Sequence, residues 1–269
     1  VVDARRAVGT HDILFVTLDS LRYDVAAALY TAGRTPNLAG VLPAGGWERR
    51  HTPGTFTLAA HAAFFAGFLP TPSQPGKHPR LFALDFPGSE TTGPGTAVFD
   101  APDIVAGFRG RGYHTVCVGG VGFFNKLTPL GSVLPGLFDE SHWDATLGVT
   151  DPRSTGHQVD LALGRVAAIP AGRRVFLFVN VSAIHQPNRV YLPGAAADSL
   201  ESHAAALEYA DAHLGRLFAG LRGRGPWLAV VCSDHGTAYG EAGFTGHRLA
   251  HPAVWDVPYA EFTFGPEAA

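Results

Sequence analysis

Acidic and imidazole side chains stand where three apolar runs of this chain stop. Asp19 closes "DILFVTLD", His185 follows "RVFLFVNVS" within "SAIHQPN", and Asp234 with His235 closes "WLAVVCSDHG". Two more imidazoles, His247 and His251, come soon after in "GFTGHRLAHP". Carboxylate and imidazole donors together suit a divalent metal ion, Zn²⁺ or Mn²⁺ before Ca²⁺ or Mg²⁺. Asp19, Asp234 and His235 are the candidate ligands. Each group also has a plainer use: Asp19 can cap a helix starting at "SLR", Asp234 can cap a turn through Gly236, and His185 can be a simple loop residue. No local spacing here matches the diagnostic His-Glu-x-x-His helix. Only the coincidence of several such groups at strand ends points to a site.

A hydroxyl nucleophile comes from "GTFTLAAHAAFFAGFLP", Gly54 to Pro70. Ala and Leu favour a helix from Leu58 to Ala66, with Thr57 as its N-cap and Gly67 as its stop. A helix N-terminus offers unpaired N–H groups and a positive dipole end, which suits a phosphoryl or sulfuryl group. The Thr57 hydroxyl is placed to attack such a group, but its own pKa is far too high for it to act unaided. A bound metal ion would stabilise the alkoxide and polarise the ester oxygen. His61, one helical turn on, is expected on the same face.

The elements that must position these groups are legible as well. Four near-continuous apolar runs, 12–19, 114–120, 174–182 and 227–234, read as strands buried on both faces. Helical patterns at 24–33, 101–113, 156–170 and 199–225 alternate with them. That alternation predicts a doubly wound α/β fold with a largely parallel sheet, whose ligands bind outside the carboxyl ends of the strands. The Pro/Gly/Ser-rich segment 70–100 reads as loops that could shape a rim. With no repeat or linker visible, residues 1–269 are expected to form one catalytic domain.

The 269 residues are 46% hydrophobic and 16% charged, which argues for a globule with a large core. A net charge of −3 gives no sign of nucleic acid as a partner. No stretch approaches a membrane span in length, and "VVDARRAVGTHD" has no apolar secretory region, so the expectation leans to the cytoplasm. Cys117 and Cys232 sit in apolar runs without a CxxC partner and read as small buried hydrophobes. "GGVGF" lacks full dinucleotide-loop spacing, and "RGRG" at 222–225 reads as a solvated helix end.

At this point the residues resemble the sulfatase-like branch of the alkaline phosphatase superfamily. "DILFVTLDSLRYDV" is similar to its opening strand and turn, and "RTPNLAGV" to the Thr-Pro-Asn-Leu segment that follows. "TLAAHAAFFAG" resembles the nucleophile helix, where a Cys, Ser or Thr lies ten residues before the closing Gly; counting back from Gly67 gives Thr57. "RGYHTVCVGG", "GLFDE", "SAIHQPN", "LEYADAHLGRLFAGL", "SDHG" and "GHRLAHPAVWDVP" continue the series in family order over nearly the whole chain.

The resemblance implies a three-layer α/β/α, alkaline phosphatase-like fold and a metal-dependent enzyme acting on small-molecule phosphate or sulfate esters. It makes Asp19, Thr57, Asp234 and His235 metal ligands, with Thr57 also the nucleophile. His61 stands where sulfatases carry Arg and related phospho-enzymes carry His. His185 and His247 would hold the transferred group or protonate the leaving group. His251 is a candidate for a second metal or the substrate rim. Sulfatases proper need a Cys or Ser in a Cys/Ser-x-Pro-Ser-Arg context, which "TLAAH" lacks. The expectation is therefore a phosphodiester or phosphonate ester hydrolase working through a phospho-threonine. The alternatives are a sulfuric ester hydrolase, a phosphotransferase, and a non-catalytic descendant that binds a metal or a partner.

Overall fold

The structure, a computed structural model, describes residues 2–67 and 103–266. The loops expected at 70–100 lie outside the described residues. Nine strands are formed among the described residues: β1 Asp12–Leu18, β2 Glu48–His51, β3 His114–Val118, β4 Glu140–His142, β5 Val175–Val181, β6 Trp227–Cys232, β7 Ala238–Tyr239, β8 Thr245–Gly246 and β9 Asp256–Phe264. Seven of them make one sheet in the order β2-β9-β6-β1-β5-β3-β4. The run from β6 to β4 is parallel, β9 is antiparallel to β6, and β2 is antiparallel to β9. β7 and β8 pair as a separate small ribbon. The fold is thus α/β around a mostly parallel sheet.

Alternation along the central strands divides the core in two. Leu14, Val16 and Leu18 of β1 face one side with Leu177 and Val179 of β5. Helices α2 (Tyr23–Thr31), α3 (Pro36–Ala39), α7 (Ser154–Ala168) and α8 (Leu200–Arg222) supply Ala26, Leu38, Val159 and Leu214 against them. Ile13 of β1 and Phe176 and Phe178 of β5 face the other side, where α4 (Thr57–Ala66) and α5 (Ile104–Gly110) add Phe65 and Phe108. Burial on both faces is what makes these strands read as unbroken apolar runs. The shorter helices are α1 (Ala4–Ala7), α6 (Pro129–Val133) and α9 (Pro252–Trp255). No described helix is long and apolar enough to cross a membrane.

The four apolar runs form β1, β3, β5 and β6, and the helices between them fall close to the expected bounds. β2 escapes a hydrophobic reading because its four residues, "ERRH", are all exposed. It forms by pairing with β9, and charged side chains suit such an edge strand. "RGRG" is not a solvated end. The Arg224 side chain is 10% exposed, donates to Asp12 Oδ2 at 3.1 Å, and binds the carbonyls of Val166, Ile169, Pro170 and Arg173. It thereby ties the ends of α7 and α8 to the start of β1. Both cysteines are fully buried, and burial pushes their thiols far above the usual range, so neither is reactive at neutral pH.

Candidate active site

Neighbouring strands β6 and β1 end side by side, which brings Asp234 and His235 next to Asp19. Asp19 is not a helix cap, because the chain turns sharply at Ser20 (φ 67°) and α2 starts only at Tyr23. Its carboxylate accepts from Ser20 Oγ at 3.0 Å and from Asn180 Nδ2 of β5 at 3.1 Å. Asp234 Oδ1 accepts from the backbone N–H of Ser20 at 3.2 Å and of His235 at 3.0 Å. Gly236 follows because a Cβ there would lie 2.0 Å from the Ala253 carbonyl oxygen of α9.

Helix α4 carries Thr57 into the same corner. Gly67 ends it in the left-handed region, as expected (φ 70°). The N-cap is Phe56, not Thr57, and it makes no side-chain capping bond. Thr57 is the first helical residue, and its hydroxyl lies 3.4 Å from both Asp19 Oδ2 and His235 Nε2. The capping role fails because the hydroxyl is turned towards these groups instead of its own helix.

Candidate ligand atoms of Asp19, Asp234 and His235 all lie within 4.8 Å of one another, and all three side chains are fully buried. His235 Nδ1 sits 2.8 Å from the Gly236 carbonyl, which can only accept, so Nδ1 carries the hydrogen and Nε2 the lone pair. That lone pair faces Asp234 Oδ2 at 3.4 Å and Asp19 Oδ1 at 3.9 Å. Asp234 Oδ2 has no hydrogen-bond partner among the described residues. An unpaired buried carboxylate oxygen facing a lone pair and a second carboxylate is strongly unfavourable unless a proton or a metal cation neutralises it. Burial, and then the Asp19 charge, push the Asp234 carboxyl well above its usual range. Burial also pushes Asp19 up, but the His185 and His235 imidazoles and the Asn180 amide outweigh it and hold Asp19 below that range. The donor set, two carboxylates, an imidazole and a hydroxyl, fits a divalent cation.

A cavity of about 390 Å³ opens onto Thr57 and is lined also by His185, His247 and Arg248. The His247 ring centroid lies 4.6 Å from that of His235 and 5.8 Å from that of His185. Burial, then these two imidazoles, depress His247 to about 4.

A sequence model described as "Sulfatase" matches residues 11–260. The chain belongs to the sulfatase family. No curated protein matches it. Among solved structures, it resembles the periplasmic domain of phosphoethanolamine transferase EptC from Campylobacter jejuni, with a TM-score of 0.60, 13% identity, and coverage of 94% of this chain and 80% of that one. The C-terminal periplasmic domain of EcEptC from Escherichia coli, solved in complex with Zn, gives 0.63 at 13% identity, covering 95% and 74%. The lipoteichoic acid synthase LtaP from Listeria monocytogenes gives 0.61 at 14%, covering 98% and 67%. At these identities the likeness speaks for the fold alone, which the chain shares also with a Vibrio parahaemolyticus protein described as in the alkaline phosphatase superfamily (TM-score 0.59, 17% identity, covering 96% and 60%).

Two expected site residues of this sulfatase-family chain lie away from the cavity. His61 is fully buried beneath the site, with Nδ1 2.8 Å from the Thr57 carbonyl and Nε2 3.1 Å from Thr17 Oγ1. Phe64, Phe65, Phe124 and Phe178 surround its ring, and burial depresses it to about 4. The i+4 spacing from Thr57 holds, but that face of α4 packs on the sheet, so His61 supports the Thr57 turn from below. His251 caps α9, accepting from Ala253 N at 3.1 Å, and lines a different cavity with Arg22 and Arg49. Its preference for the cap takes it out of the Thr57 site.

Three groups were not anticipated. Thr17 and Asn180 are buried polar residues inside apolar strands, and that interruption of "DILFVTLD" and "RVFLFVNVS" was the available signal. Asn180 links Thr17, Asp19 and the Val121 N–H. Arg248 had only its adjacency to His247 to mark it.

Proposed function

We propose that this chain is a divalent-metal-dependent enzyme of phosphoric esters, phosphodiesters or phosphonate esters, using Thr57 as nucleophile. The unpartnered Asp234 Oδ2, set among Asp19, His235 and the Thr57 hydroxyl, is the observation that carries the reading. Asp19, Thr57, Asp234 and His235 would hold the ion, and mixed oxygen and nitrogen donors favour Zn²⁺ or Mn²⁺. When bound, it supplies the Lewis acidity that makes a threonine alkoxide accessible near neutral pH.

Thr57 Oγ releases its proton to solvent and attacks phosphorus, forming the Oγ–P bond as the ester P–O bond breaks. The first-turn N–H groups of α4, left without a side-chain cap, are oriented to hold a non-bridging oxygen. His185, an imidazole of the cavity, gives a proton to the departing alkoxide, whereas His247, depressed to about 4, carries no extra proton near neutral pH. Water then attacks the phospho-threonine: its oxygen bonds to phosphorus as the Oγ–P bond breaks, one of its protons returns to the imidazole, and Thr57 Oγ regains from solvent the proton it gave up. Asn180 and His61 keep Asp19 and the Thr57 turn in place.

Transfer to an acceptor alcohol instead of water is the second reading. It draws support from the structural neighbours, one named as a phosphoethanolamine transferase and one as a lipoteichoic acid synthase. Thr57→Ala should lower turnover of aryl phosphodiesters by at least about 10³-fold, with metal content largely intact because Asp19, Asp234 and His235 remain. Retained turnover would sink the Thr57 mechanism. Faster cleavage of aryl sulfates than of aryl phosphodiesters would return the chain to sulfuryl chemistry.

A further inference from the structure

The wall of the Thr57 cavity has one charged residue that the reading above does not use. Arg248 lines it, and no carboxylate is among the described lining residues. Its guanidinium makes no ion pair with the described residues; instead it lies over the Phe56 ring, 5.5 Å from the centroid. Its backbone N–H donates to the Thr55 carbonyl at 2.9 Å. Backbone and side chain of Arg248 are thus both fastened to the residues that lead into α4 and Thr57. Phe56 in turn packs on Phe123, with centroids 6.3 Å apart.

Arg248 also occupies a backbone position that suits glycine, with φ at 70°. Left-handed backbone is costly for a side-chain-bearing residue, and such strain collects at functional sites. A guanidinium held over an aromatic face by cation–π attraction is not neutralised by it and still has N–H donors to offer an anion. Most of the remaining wall is apolar: Val121, Phe123, Leu130 and Val149 line the same cavity.

Resting on the proposed ester chemistry, we infer that Arg248 grips a non-bridging oxygen of the anionic group presented to Thr57. The apolar wall beside it takes the organic arm, so the substrate class is an anionic ester with an aryl or alkyl group. An oxygen held by Arg248 is oriented over the α4 N-terminus, and the apolar wall selects against esters whose arm is itself charged.

The test uses the full chain loaded with Zn²⁺ and titrated calorimetrically with phenyl phosphate and with inorganic phosphate. Arg248→Gly suits the local backbone and should fold with an unchanged or raised melting temperature. It should weaken phenyl phosphate binding by about 10- to 100-fold, and Arg248→Lys should recover part of the loss. Wild-type protein should bind phenyl phosphate at least about 10-fold more tightly than inorganic phosphate. Unchanged affinity in Arg248→Gly overturns the role of Arg248, and equal affinity for the two probes overturns the apolar arm. Binding without turnover of bis(4-nitrophenyl) phosphate would defeat the proposed catalytic function alone, leaving the titration to decide this inference. If wild-type protein binds neither probe, the inference falls with it.

Discussion

Replacing Asp234 by Asn separates a metal centre from a structural cluster. Asp19 and Asp234 present buried carboxylate oxygens within 4.8 Å. At that distance two unit charges repel by about 3–4 kcal/mol with an effective dielectric constant of about 20. Asn can keep the Oδ1 bonds from the Ser20 and His235 N–H groups, while its amide hydrogens meet the His235 lone pair and Asp19. Metal-free Asp234→Asn should therefore be more stable than metal-free wild type. The upper limit is about 3 kcal/mol, or roughly 5 °C in melting temperature for a chain of this size. A proton on Asp234 relieves part of the wild-type repulsion, since its pKa is raised in the fold. The raised value means the folded state is penalised increasingly as pH climbs above the ordinary carboxyl value of 3.8, so the advantage of Asn should grow with pH. Zn²⁺ or Mn²⁺ should reverse the order. At 100 times its Kd a ligand adds about 2.7 kcal/mol, which wild type should gain and the variant should not. Chelated and metal-loaded samples compared by urea and thermal melts at pH 6 and 8 measure this. The reasoning is refuted if the metal-free variant melts below metal-free wild type, or if metal raises both proteins equally.

Three other outcomes are expected. Arg224→Ala leaves the buried Asp12 carboxylate without its close guanidinium partner and should cost about 3–5 kcal/mol in urea denaturation, with activity per folded molecule unchanged. His203 is fully buried, accepts from the Arg22 N–H at 3.3 Å, and is depressed by burial to about 3. Below pH 6.5 the unfolded chain protonates this imidazole and the folded one does not, so stability is lost as pH falls towards 3. Between pH 7 and 5, wild type should lose about 2 kcal/mol more than His203→Gln, and equal losses would show that His203 does not titrate this way. Chelation of wild-type protein should lower its melting temperature and abolish turnover together, with both restored by Zn²⁺ or Mn²⁺.

How much of the site the sequence disclosed follows from how local each signal is. Asp19, Asp234 and His235 can be grouped from the sequence because strand ends are visible wherever an apolar run meets a polar residue, and the structure brings the three together. Thr57 was found through its helix, yet its part in that helix was misjudged. A threonine before an apolar run looks like a cap, and only the carboxylate and imidazole across from it turn its hydroxyl elsewhere. His61 was placed on the correct helical face, but the sequence could not say that this face packs against Phe124 and Phe178. Arg224 was read as solvated because its partner, Asp12, lies 212 positions away.

By itself the sequence determined the α/β alternation, the four buried strands, the helix that presents Thr57, and the ordered motifs of the sulfatase family. These rest on periodicity and on short runs of residues, which are properties of neighbours in the chain. The tertiary structure alone decided that β6 lies beside β1, so that groups from residues 19, 57 and 235 come within 3.4 Å contacts. It also decided that β2 exists, that His251 faces another cavity, and that Arg248 stands over Phe56 beside Thr57. Pairings across such long separations depend on strand order and side-chain direction, which local sequence does not encode.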